Sequence, residues 1–350
     1  MKMRKKKSLI AILYFIIAAM SYQIQSSKTI AVAATSPTEA KAECVIELNS
    51  RRILYESNGD VRLPMASTTK IATAATVLEK MENLDERFSI PKEAVGIEGS
   101  SVYLQEGDVY SVKDLLYGLM LRSGNDCATA LAIKCSKTVE AFSFEMNLTA
   151  QRSGALNTFF KNPHGLPEKG HYTTARDLSM ITAYAMKLPI FSEIVSTEYY
   201  APCGWKNKNK MLYLYDGGIG VKTGYTKEAG RCLVSAANKY GMTLICTVLN
   251  CPTTYERSIQ LLEDAYEAYK LKNILQKGDV FELSNGNSTI KAVAKEEFSY
   301  PLSDGEESQL EIRISNVKNR LFIAKNDKIV GQIEIYLAKR LLFSTNLYKL

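Results

Sequence analysis

The sequence predicts an α+β fold: an antiparallel sheet flanked by helices, with a helical subdomain, followed by a small all-β C-terminal domain. The order of the patterns supports this fold, because strand-like runs come first, several helical patterns follow, and strands with one last helix close the first part. From about Gln276 short β-rich runs alternate with turns such as Asn285-Gly286 and Asp304-Gly305. A chain of 350 residues, 46% of them hydrophobic, is long enough for two such domains.

The first 33 residues have the three parts of a secretory signal peptide. A cationic start precedes an apolar run from Leu9 to Met20, and Ala31-Val32-Ala33 is a small-residue cleavage site. We therefore expect export to the exterior of the cell envelope, with cleavage after Ala33. The polar stretch from Ser21 to Lys28 is long for a signal, so an uncleaved N-terminal anchor is the alternative. The expected domains are a signal peptide at 1–33, a first domain at 34–275 and a β domain at 276–350.

Charge and cysteine content argue against two classes of function. The formal net charge is +7, but six basic residues and no acidic residue precede Ala34. The rest of the chain is nearly neutral, so it lacks the basic surface of a nucleic-acid-binding protein. The seven cysteines form no C-x-x-C pair, and only His164 and His171 accompany them. This is not a zinc-ligand pattern, and we expect neither a metal, nor another cofactor, nor an obligatory disulfide framework.

The first domain is predicted to begin with a hairpin and a series of capped helices. Residues 44–57 alternate as a hairpin that turns at Asn49–Arg51. The next helix has an apolar stripe from Ile71 to Met81, and Ser67 with Thr68 sits where its N-cap is expected. A further helix is predicted at 111–122, where Ser111 to Asp114 form a capping box. Three more are predicted: one from 126 to about 135, one from there to Gly154, and one after the cap at Thr174–Asp177.

The second half of this domain returns to strands. Met211–Tyr215 and Val221–Tyr225 are predicted strands, and a hairpin turns at Lys239–Gly241 between Arg231–Ala237 and Met242–Leu249. Residues 254–272 are predicted to form a closing helix. The β domain then contains predicted strands at Val280–Leu283, Thr289–Val293, Leu310–Ile314, Ile329–Tyr336 and Leu341–Ser344.

Ser67 and Lys70 are the first candidate pair of catalytic residues. They lie three residues apart at the start of a helix, so one helical turn places the hydroxyl and the amine on the same side. A serine hydroxyl is a poor nucleophile until a base removes its proton, and an adjacent neutral amine can be that base. Ser-x-x-Lys alone arises by chance roughly once or twice in a chain of this size. A capping serine beside a solvated lysine is the ordinary alternative.

Two further motifs follow in order. Ser123-Gly124-Asn125 is a tight turn between helices, and Lys222-Thr223-Gly224 lies on a strand with a glycine-rich approach. Each has an ordinary structural interpretation, as turn residues and as an exposed strand lysine. A Lys-Thr-Gly triplet is expected by chance in about one in ten such chains. The order and the structural settings of the three motifs therefore favour a catalytic site.

These motifs resemble those of the penicillin-binding, active-site serine DD-peptidases, and most closely those of the low-molecular-mass D-alanyl-D-alanine carboxypeptidases. The resemblance extends to Asn162–Leu166, Thr173–Leu178, Lys222–Thr226, Ala229-Gly230 and the trailing β domain. It implies a serine β-lactamase/DD-peptidase-like fold. It also implies a serine-type hydrolase that removes the terminal D-alanine from peptidoglycan stem peptides through an acyl-enzyme, with β-lactams as covalent inhibitors.

The resemblance implies roles for nine residues. Ser67 would be the nucleophile and Lys70 the general base, whose pKa burial and the second cation Lys222 would lower. Ser123 would relay a proton to the departing D-alanine. The implied substrate-binding residues are Asn125 for the substrate amide, Lys222 and Thr223 for the terminal carboxylate, Gly224 for the approach of a substrate strand, Tyr225 with Ser67 for a backbone oxyanion hole, and Arg257 for a second carboxylate contact. His164 is interpreted as a structural loop residue.

Two other functions are the alternatives. A serine β-lactamase of similar fold needs a carboxylate in a Glu-x-x-Leu-Asn loop, whereas the loop here reads Pro167-Glu168-Lys169-Gly170-His171 and lacks the Leu-Asn. The extra β domain also argues against it. A non-catalytic penicillin sensor or scaffold would use the same pocket for binding, and the intact set of motif residues argues against that interpretation.

The C-terminal tail differs from that of the family in a way that concerns membrane association. The carboxypeptidases that the chain resembles commonly end in an amphipathic helix that lies on the membrane. Here the tail from Phe343 to Leu350 continues a strand pattern and offers too little for such an anchor. Attachment would then depend on an uncleaved N-terminus.

Overall fold

A computed structural model of the chain describes residues 40–285, 288–316 and 329–350. The predicted signal peptide at 1–33 lies outside the described residues. Among the residues that are described, no single helix is long and apolar enough to cross a membrane. Two consecutive helices, Ala175–Met186 and Pro189–Ser196, are long and apolar enough only when they are counted as one. The chain bends by 106° between them.

Helices occupy most of the middle of the chain. A 3₁₀ turn at Ala66–Thr69 leads directly into the first α-helix, and a π-helical turn at Gly118–Arg122 follows the second. The α-helices are α1 at Lys70–Lys80, α2 at Val112–Tyr117, α3 at Asn125–Ser136, α4 at Val139–Ser153, α5 at Ala175–Met186, α6 at Pro189–Ser196, α7 at Met211–Leu214 and α8 at Thr254–Ala268.

Strands lie on both sides of this helical region. Those of the first part are β1 at Ala42–Glu47, β2 at Ile53–Ser57, β3 at Arg87–Ser89, β4 at Val109–Ser111, β5 at Tyr199–Tyr200, β6 at Trp205–Lys206, β7 at Gly218–Thr226, β8 at Gly230–Lys239 and β9 at Met242–Leu249. Those of the last part are β10 at Tyr269–Leu275, β11 at Val280–Asn285, β12 at Ser288–Ala294, β13 at Phe298–Ser303, β14 at Leu310–Asn316, β15 at Ile329–Leu337 and β16 at Arg340–Lys349.

An antiparallel five-stranded sheet is the centre of the first domain. Its strand order is β2-β1-β9-β8-β7, so β7 is an edge strand. One face packs on α1, α5 and the other helices of the helical subdomain, in a core that includes Ile71, Leu178 and Val234. The opposite face packs on α8 through residues such as Leu233 and Leu261. The order of layers is therefore helix, sheet and helical subdomain, as the sequence predicts for this domain.

Most of the predicted element boundaries are confirmed. The hairpin at 44–57, the capping box from Ser111 to Asp114, the cap at Thr174 and the hairpin at 239–241 are all present. Helix α4 also ends where its glycine signal predicts, with Gly154 in the left-handed conformation at φ +88°.

Two predicted elements are wrong. Met211–Tyr215 is not a strand, since Met211–Leu214 is a short helix. The Asn209 side chain accepts a hydrogen bond from the backbone of Met211 at 3.0 Å, which favours a turn over an extended backbone at this point. The closing helix stops at Ala268 and not at 272, because Tyr269–Leu275 pairs as a strand with Phe298–Ser303. The latter segment was not among the predicted strands.

The C-terminal part is all-β, as predicted. Its five-stranded sheet has the order β11-β12-β16-β15-β14, and β10 pairs separately with β13. Strand β15 shows why the sheet forms, since Gly331, Ile333, Ile335 and Leu337 are buried and the residues between them are not. The tail that was expected to continue a strand pattern is the end of β16. Of the predicted turn at Asn285-Gly286, Gly286 lies outside the described residues.

Arg52 links the central sheet to the C-terminal strands. Its guanidinium donates to the Pro301 carbonyl and to Glu306 Oε1, both at 2.6 Å. It also lies 5.0 and 5.2 Å from the ring centroids of Tyr269 and Tyr300. A charged, planar group therefore joins residues more than 200 positions apart in the chain.

We expect Arg52→Met to lower the free energy of unfolding by about 2 kcal/mol, because charge-assisted hydrogen bonds and two cation–π contacts are lost together. Arg52→Lys should recover only part of this loss, since an ammonium cannot reproduce the planar fork. Urea denaturation of both variants is the measurement. Equal stability of wild type and Arg52→Met would contradict this role.

Candidate active site

Ser67 and Lys70 face each other at the start of α1. Ser67 lies in the 3₁₀ turn, and its Oγ is 2.9 Å from Lys70 Nζ. The expected N-cap role of Ser67 and Thr68 is wrong, since no side chain caps this turn or the helix after it. Thr68 instead donates its hydroxyl back to the Met65 carbonyl at 2.6 Å. The Ser67 hydroxyl contacts the Lys70 amine and caps no helix.

The backbone around Ser67 is tightly constrained. Ala66 has a φ of +49°, which is uncommon for a residue with a side chain. Gly165, at φ +89°, packs against it so closely that a Cβ there would lie 2.0 Å from the Ala66 carbonyl oxygen. Only glycine fits at this point, so the 162–166 loop can approach the turn that carries Ser67.

The Lys70 amine is fully buried and makes three hydrogen bonds. Its Nζ lies 2.9 Å from Ser67 Oγ, 2.6 Å from Asn125 Oδ1 and 2.7 Å from the His164 carbonyl. Burial, and then the nearby Lys222 ammonium, hold the pKa of Lys70 well below its usual value. A neutral amine has two N–H groups and one lone pair. With Asn125 and His164 accepting the two N–H groups, the lone pair faces the Ser67 hydroxyl.

Asn125 connects Lys70 to the loop before α2. Its Nδ2 donates to the Glu98 carbonyl, and its backbone N–H donates to the Ser100 carbonyl at 2.7 Å. The neighbouring Asp126 carboxylate accepts the Ser101 hydroxyl at 2.5 Å. Both ends of the Asn125 amide are therefore used within the protein, in addition to the predicted contact with a substrate amide.

Ser123 is buried beside this network in an unusual conformation. Its φ is +65°, in the left-handed region, between the π-helical turn and α3. Within the described part of the chain no group hydrogen-bonds to its Oγ. The hydroxyl is therefore available for the proton relay that the resemblance implies.

Lys222 brings a second buried amine to the site. It lies on β7, is 2% exposed, and its Nζ donates to the Thr223 carbonyl at 3.0 Å. Burial, and then the positive charge of Lys208, lower the pKa of Lys222 to about 7. A buried cation held by one carbonyl is well suited to receive an anion.

Gly224 brings the edge strand against the turn that carries Ser67. A Cβ on Gly224 would lie 3.0 Å from the Ser67 backbone nitrogen and 3.0 Å from the Met65 carbonyl oxygen. Tyr225, the next residue, is 65% exposed. The free edge of β7 therefore runs beside the Ser67 amide, which is the arrangement that a backbone oxyanion hole from Ser67 and Tyr225 needs.

Arg257 is the predicted residue that the structure does not bring to the site. Its guanidinium pairs with Glu43 on β1, with contacts at 2.6 and 2.9 Å. Glu43 pairs with Val248 across β1 and β9, and Val248 pairs with Leu233 across β9 and β8. Residues paired in this way lie on the same face of the sheet, and this is the face that packs on α8. Lys222 pairs with Val234 on the other face. The expected second carboxylate contact is therefore corrected: Arg257 neutralises a buried glutamate behind the sheet.

Three contributions to the site are not predicted from the sequence. The His164 carbonyl and Gly165 act through the backbone, which residue type does not reveal. Lys208 is an exposed cation on the segment after β6, and its backbone N–H donates to the Leu121 carbonyl at 3.1 Å, close to Ser123. Its charge lowers the pKa of both Lys70 and Lys222. The alternating Lys206-Asn207-Lys208-Asn209-Lys210 run was the signal for it.

His171 supports the loop next to Lys70. Its Nδ1 accepts from the Lys161 backbone N–H at 3.0 Å, so the proton is on Nε2, which lies 2.9 Å from the Thr69 hydroxyl. Burial lowers the pKa of His171 to about 4 and that of His164 to about 3. Both imidazoles are therefore neutral at physiological pH, and His171 is structural. No cluster of potential metal ligands is found among the described residues.

Family models match most of the chain. A model described as D-alanyl-D-alanine carboxypeptidase matches residues 28–253, and one described as Penicillin-binding protein 5, C-terminal domain, matches residues 269–350.

Curated relatives carry the first of these descriptions. D-alanyl-D-alanine carboxypeptidase DacF of Bacillus subtilis is 34% identical over 246 residues, which are 66% of this chain and 63% of that protein. The protein of Streptomyces sp. strain K15 is 38% identical, over 63% of this chain and 84% of the relative. DacA of Haemophilus influenzae is 29% identical, over 99% of this chain and 93% of its own length. The match to the Bacillus subtilis protein thus spans less than two thirds of that relative.

Solved structures agree with these matches. The structure of penicillin binding protein 5 from Haemophilus influenzae aligns with 90% of this chain and over 97% of its own. The TM-score is 0.74 and the sequence identity is 28%. A structure of a serine-to-alanine mutant of Streptomyces K15 DD-transpeptidase covers 66% of this chain and 99% of its own, with a TM-score of 0.63 and 35% identity.

We expect Arg257→Leu to lower the free energy of unfolding by about 3–5 kcal/mol, because it leaves Glu43 buried without its cation. The double variant Glu43→Leu with Arg257→Leu should recover much of this loss, since it removes both charges. Denaturant unfolding of the single and double variants measures the difference. Unchanged stability in Arg257→Leu would show that the guanidinium is free for another role.

Proposed function

The chain belongs to the D-alanyl-D-alanine carboxypeptidase family, and on that premise we propose that it removes the terminal D-alanine from peptidoglycan stem peptides through an acyl-enzyme on Ser67. We further propose that residues 1–33 direct its export, so that it acts outside the cell as a secreted or N-terminally anchored enzyme. One observation carries the catalytic proposal. The buried Lys70 amine lies 2.9 Å from Ser67 Oγ, with Asn125 and His164 as its other partners.

Acylation begins with transfer of the Ser67 proton to Lys70. Ser67 Oγ attacks the carbonyl between the two D-alanines, and the developing negative charge is stabilised by the backbone N–H groups of Ser67 and Tyr225. The C–N bond then breaks, and Ser123 relays the proton that Lys70 took from Ser67 to the amine of the departing D-alanine, which leaves Lys70 neutral again. Water hydrolyses the ester and releases the shortened peptide, which restores the Ser67 hydroxyl.

The terminal carboxylate of the substrate is the group that the second lysine would bind. Lys222 supplies a buried positive charge beside β7, and Lys208 adds a positive field at the exposed side. An anion bound there would favour the charged form of Lys222. A substrate that ends in an amide would lack this contact, which explains a preference for chain ends. Thr223 is the neighbouring candidate for the same carboxylate.

β-Lactams fit the same proposal as covalent inhibitors. The Ser67 hydroxyl would open the lactam ring, but the leaving group stays tethered in the site and hinders the hydrolytic water. A β-lactamase is the weaker alternative, because Glu168 is exposed and its Oε2 accepts from Asn162 at 3.1 Å instead of lying against Ser67 or Lys70. A penicillin sensor without turnover is the other alternative.

Mass spectrometry after incubation with benzylpenicillin should find one covalent adduct on the wild type and none on Ser67→Ala. The same variant should lose D-alanine release from diacetyl-Lys-D-Ala-D-Ala by at least about a thousandfold, because the attacking hydroxyl is removed. An adduct that persists in Ser67→Ala would overturn the assignment of the nucleophile. Adduct formation by the wild type without D-alanine release would support the sensor.

The pH dependence of kcat/KM should be bell-shaped. The rising limb follows the neutral fraction of Lys70, whose lowered pKa keeps the base available near neutrality. The falling limb follows loss of charge on Lys222, whose pKa is about 7 in the free enzyme.

Lys208→Met should move both limbs to higher pH, because it removes a positive charge that lowers both pKa values. Lys210→Met, two residues away and also exposed, is the matched control and should leave the profile in place. Equal profiles for wild type and Lys208→Met would show that Lys208 does not act on the site.

A further inference from the structure

Asp126 is a buried carboxylate beside the active site, and none of the catalytic steps described above uses it. It follows Asn125 at the start of α3 and is 1% exposed. The hydrogen bonds to its oxygens that the structure describes all come from neutral donors. An ionised carboxylate is an acceptor only, which suits this set of partners. The fold therefore keeps a negative charge in a place where burial is costly.

The carboxylate holds the 98–104 loop against α3. Its Oδ2 accepts from the Ser101 hydroxyl at 2.5 Å and from the backbone N–H groups of Val102 and Leu104 at 3.0 and 3.2 Å. Three donors of one short segment thus converge on a single oxygen. The same segment holds Tyr103 at a φ of +65°, which is uncommon for a residue with a side chain. The loop is therefore ordered around the Asp126 side chain.

The other oxygen lies against the turn that carries Ser123. Asp126 Oδ1 accepts from the backbone N–H of Cys127 at 2.9 Å, and a Cβ on Gly124 would lie 2.7 Å from it. Glycine at this position therefore lets the turn contact the carboxylate directly. One side chain thus joins the 98–104 loop to the turn between the π-helical segment and α3.

The loop in turn holds Asn125, which orients the catalytic amine. The Glu98 carbonyl accepts from Asn125 Nδ2, and the Ser100 carbonyl accepts from the Asn125 backbone N–H at 2.7 Å. With Nδ2 held in this way, Oδ1 faces Lys70 Nζ at 2.6 Å. Displacement of the loop would release this amide, and Lys70 would lose one of the acceptors that direct its lone pair to Ser67.

Asp126 also adds a negative charge to a site that is otherwise positive. Burial has the largest effect on the pKa of Lys70 and lowers it, and four side chains then act on the amine: Lys222 on β7, Cys127 and Asp126 on α3, and Lys208 after β6. The two lysines lower this pKa, and the two residues of α3 raise it. Burial raises the pKa of the Cys127 thiol well above its usual value, so the thiol is neutral. The imidazole of His164 is neutral as well, which leaves Asp126 as the negative charge among these groups.

This charge acts when the proton of Ser67 moves to Lys70. The transfer converts a neutral, buried amine into an ammonium beside Lys222 and in the field of Lys208. A buried positive charge is costly unless a negative charge compensates it. Asp126 is fixed by its own hydrogen bonds before the reaction begins, so it provides this compensation without reorganisation.

We propose that Asp126 is a positioning residue for the catalytic base. It holds the loop and the turn around the Lys70 amine, and its charge stabilises the ammonium that forms there during acylation. This inference rests on the proposed carboxypeptidase function and deepens it, because it assigns the group that lets a fully buried amine accept a proton.

The test is the pH dependence of kcat and KM for diacetyl-Lys-D-Ala-D-Ala in the wild type and in Asp126→Asn, which removes the charge at nearly constant size. We expect kcat to fall about tenfold, since the ammonium formed in the transition state loses a stabilising charge, while KM changes little. The rising limb of kcat/KM should move to lower pH, because the pKa of Lys70 falls further without the negative charge. The falling limb follows Lys222, whose pKa depends on burial and on Lys208, and should stay in place.

Three further variants separate the charge from the hydrogen bonds. Ser101→Ala removes one bond to Asp126 and keeps the charge, so its rising limb should stay at the wild-type pH. Asp126→Glu keeps the charge on a longer side chain, and it should lower kcat without moving the rising limb. Glu106→Gln removes an exposed charge two residues after the loop and should change neither kcat nor the limbs.

A rising limb that stays in place in Asp126→Asn, or that moves to higher pH, would overturn the inference, since a displaced loop alone also lowers kcat. A rising limb that moves to lower pH in Asp126→Glu would overturn it too, because that variant keeps the charge. The glutamate variant thus decides the question even where the asparagine variant does not fold.

Acylation by benzylpenicillin separates this inference from the function on which it rests. The drug reacts with the same hydroxyl and base, so its acylation rate should show the same shift of the rising limb in Asp126→Asn. A wild type that reacts with the drug and releases D-alanine, with a limb that the variant leaves in place, contradicts the role of Asp126 alone. A wild type that neither reacts with the drug nor releases D-alanine contradicts the carboxypeptidase proposal.

Discussion

Desolvation of the Lys70 amine is the interaction on which the rest of the site depends. An ammonium that is removed from water loses more hydration free energy than a neutral amine does, so burial alone favours the neutral form. The helical subdomain supplies that burial, and Lys222 adds to it by charge repulsion. Hydrogen bonds to Asn125 and His164 then decide which way the neutral amine points. A catalytic base thus results from ordinary packing on one face of the sheet.

The site also depends on main-chain geometry at three positions. Gly165 allows the 162–166 loop to touch the turn at Ala66, and Gly224 allows the edge strand to touch the same turn from the other side. Ser123 accepts a left-handed backbone between two helical segments. The two glycines each bring a different element to the turn that carries Ser67. Together they explain how residues distant in the chain surround one hydroxyl.

The sequence predicted the parts of this arrangement that depend on side-chain type at a fixed spacing. Ser67 and Lys70 are one turn apart in any helix, and the alternation of β8 and β9 with a turn between them predicted the hairpin that is present. Arg257 was misplaced because its role was carried over from the resemblance, whereas in this chain its guanidinium pairs with Glu43 behind the sheet. The His164 carbonyl could not be predicted, since every residue has one. The strand at Tyr269–Leu275 depends on a partner more than 20 residues away in the chain, and local pattern does not reveal it.

The free edge of strand β7 can pair with an unwanted chain as well as with a substrate. An exposed row of backbone donors and acceptors invites any extended chain, including another copy of the same protein, and can begin aggregation. Here the turn that bears Ser67 lies across part of that row, at Gly224. The backbone of β7 at that point is covered and cannot pair with a second chain. The turn that carries the nucleophile therefore also shortens the length of sheet edge on which another copy of the protein could pair.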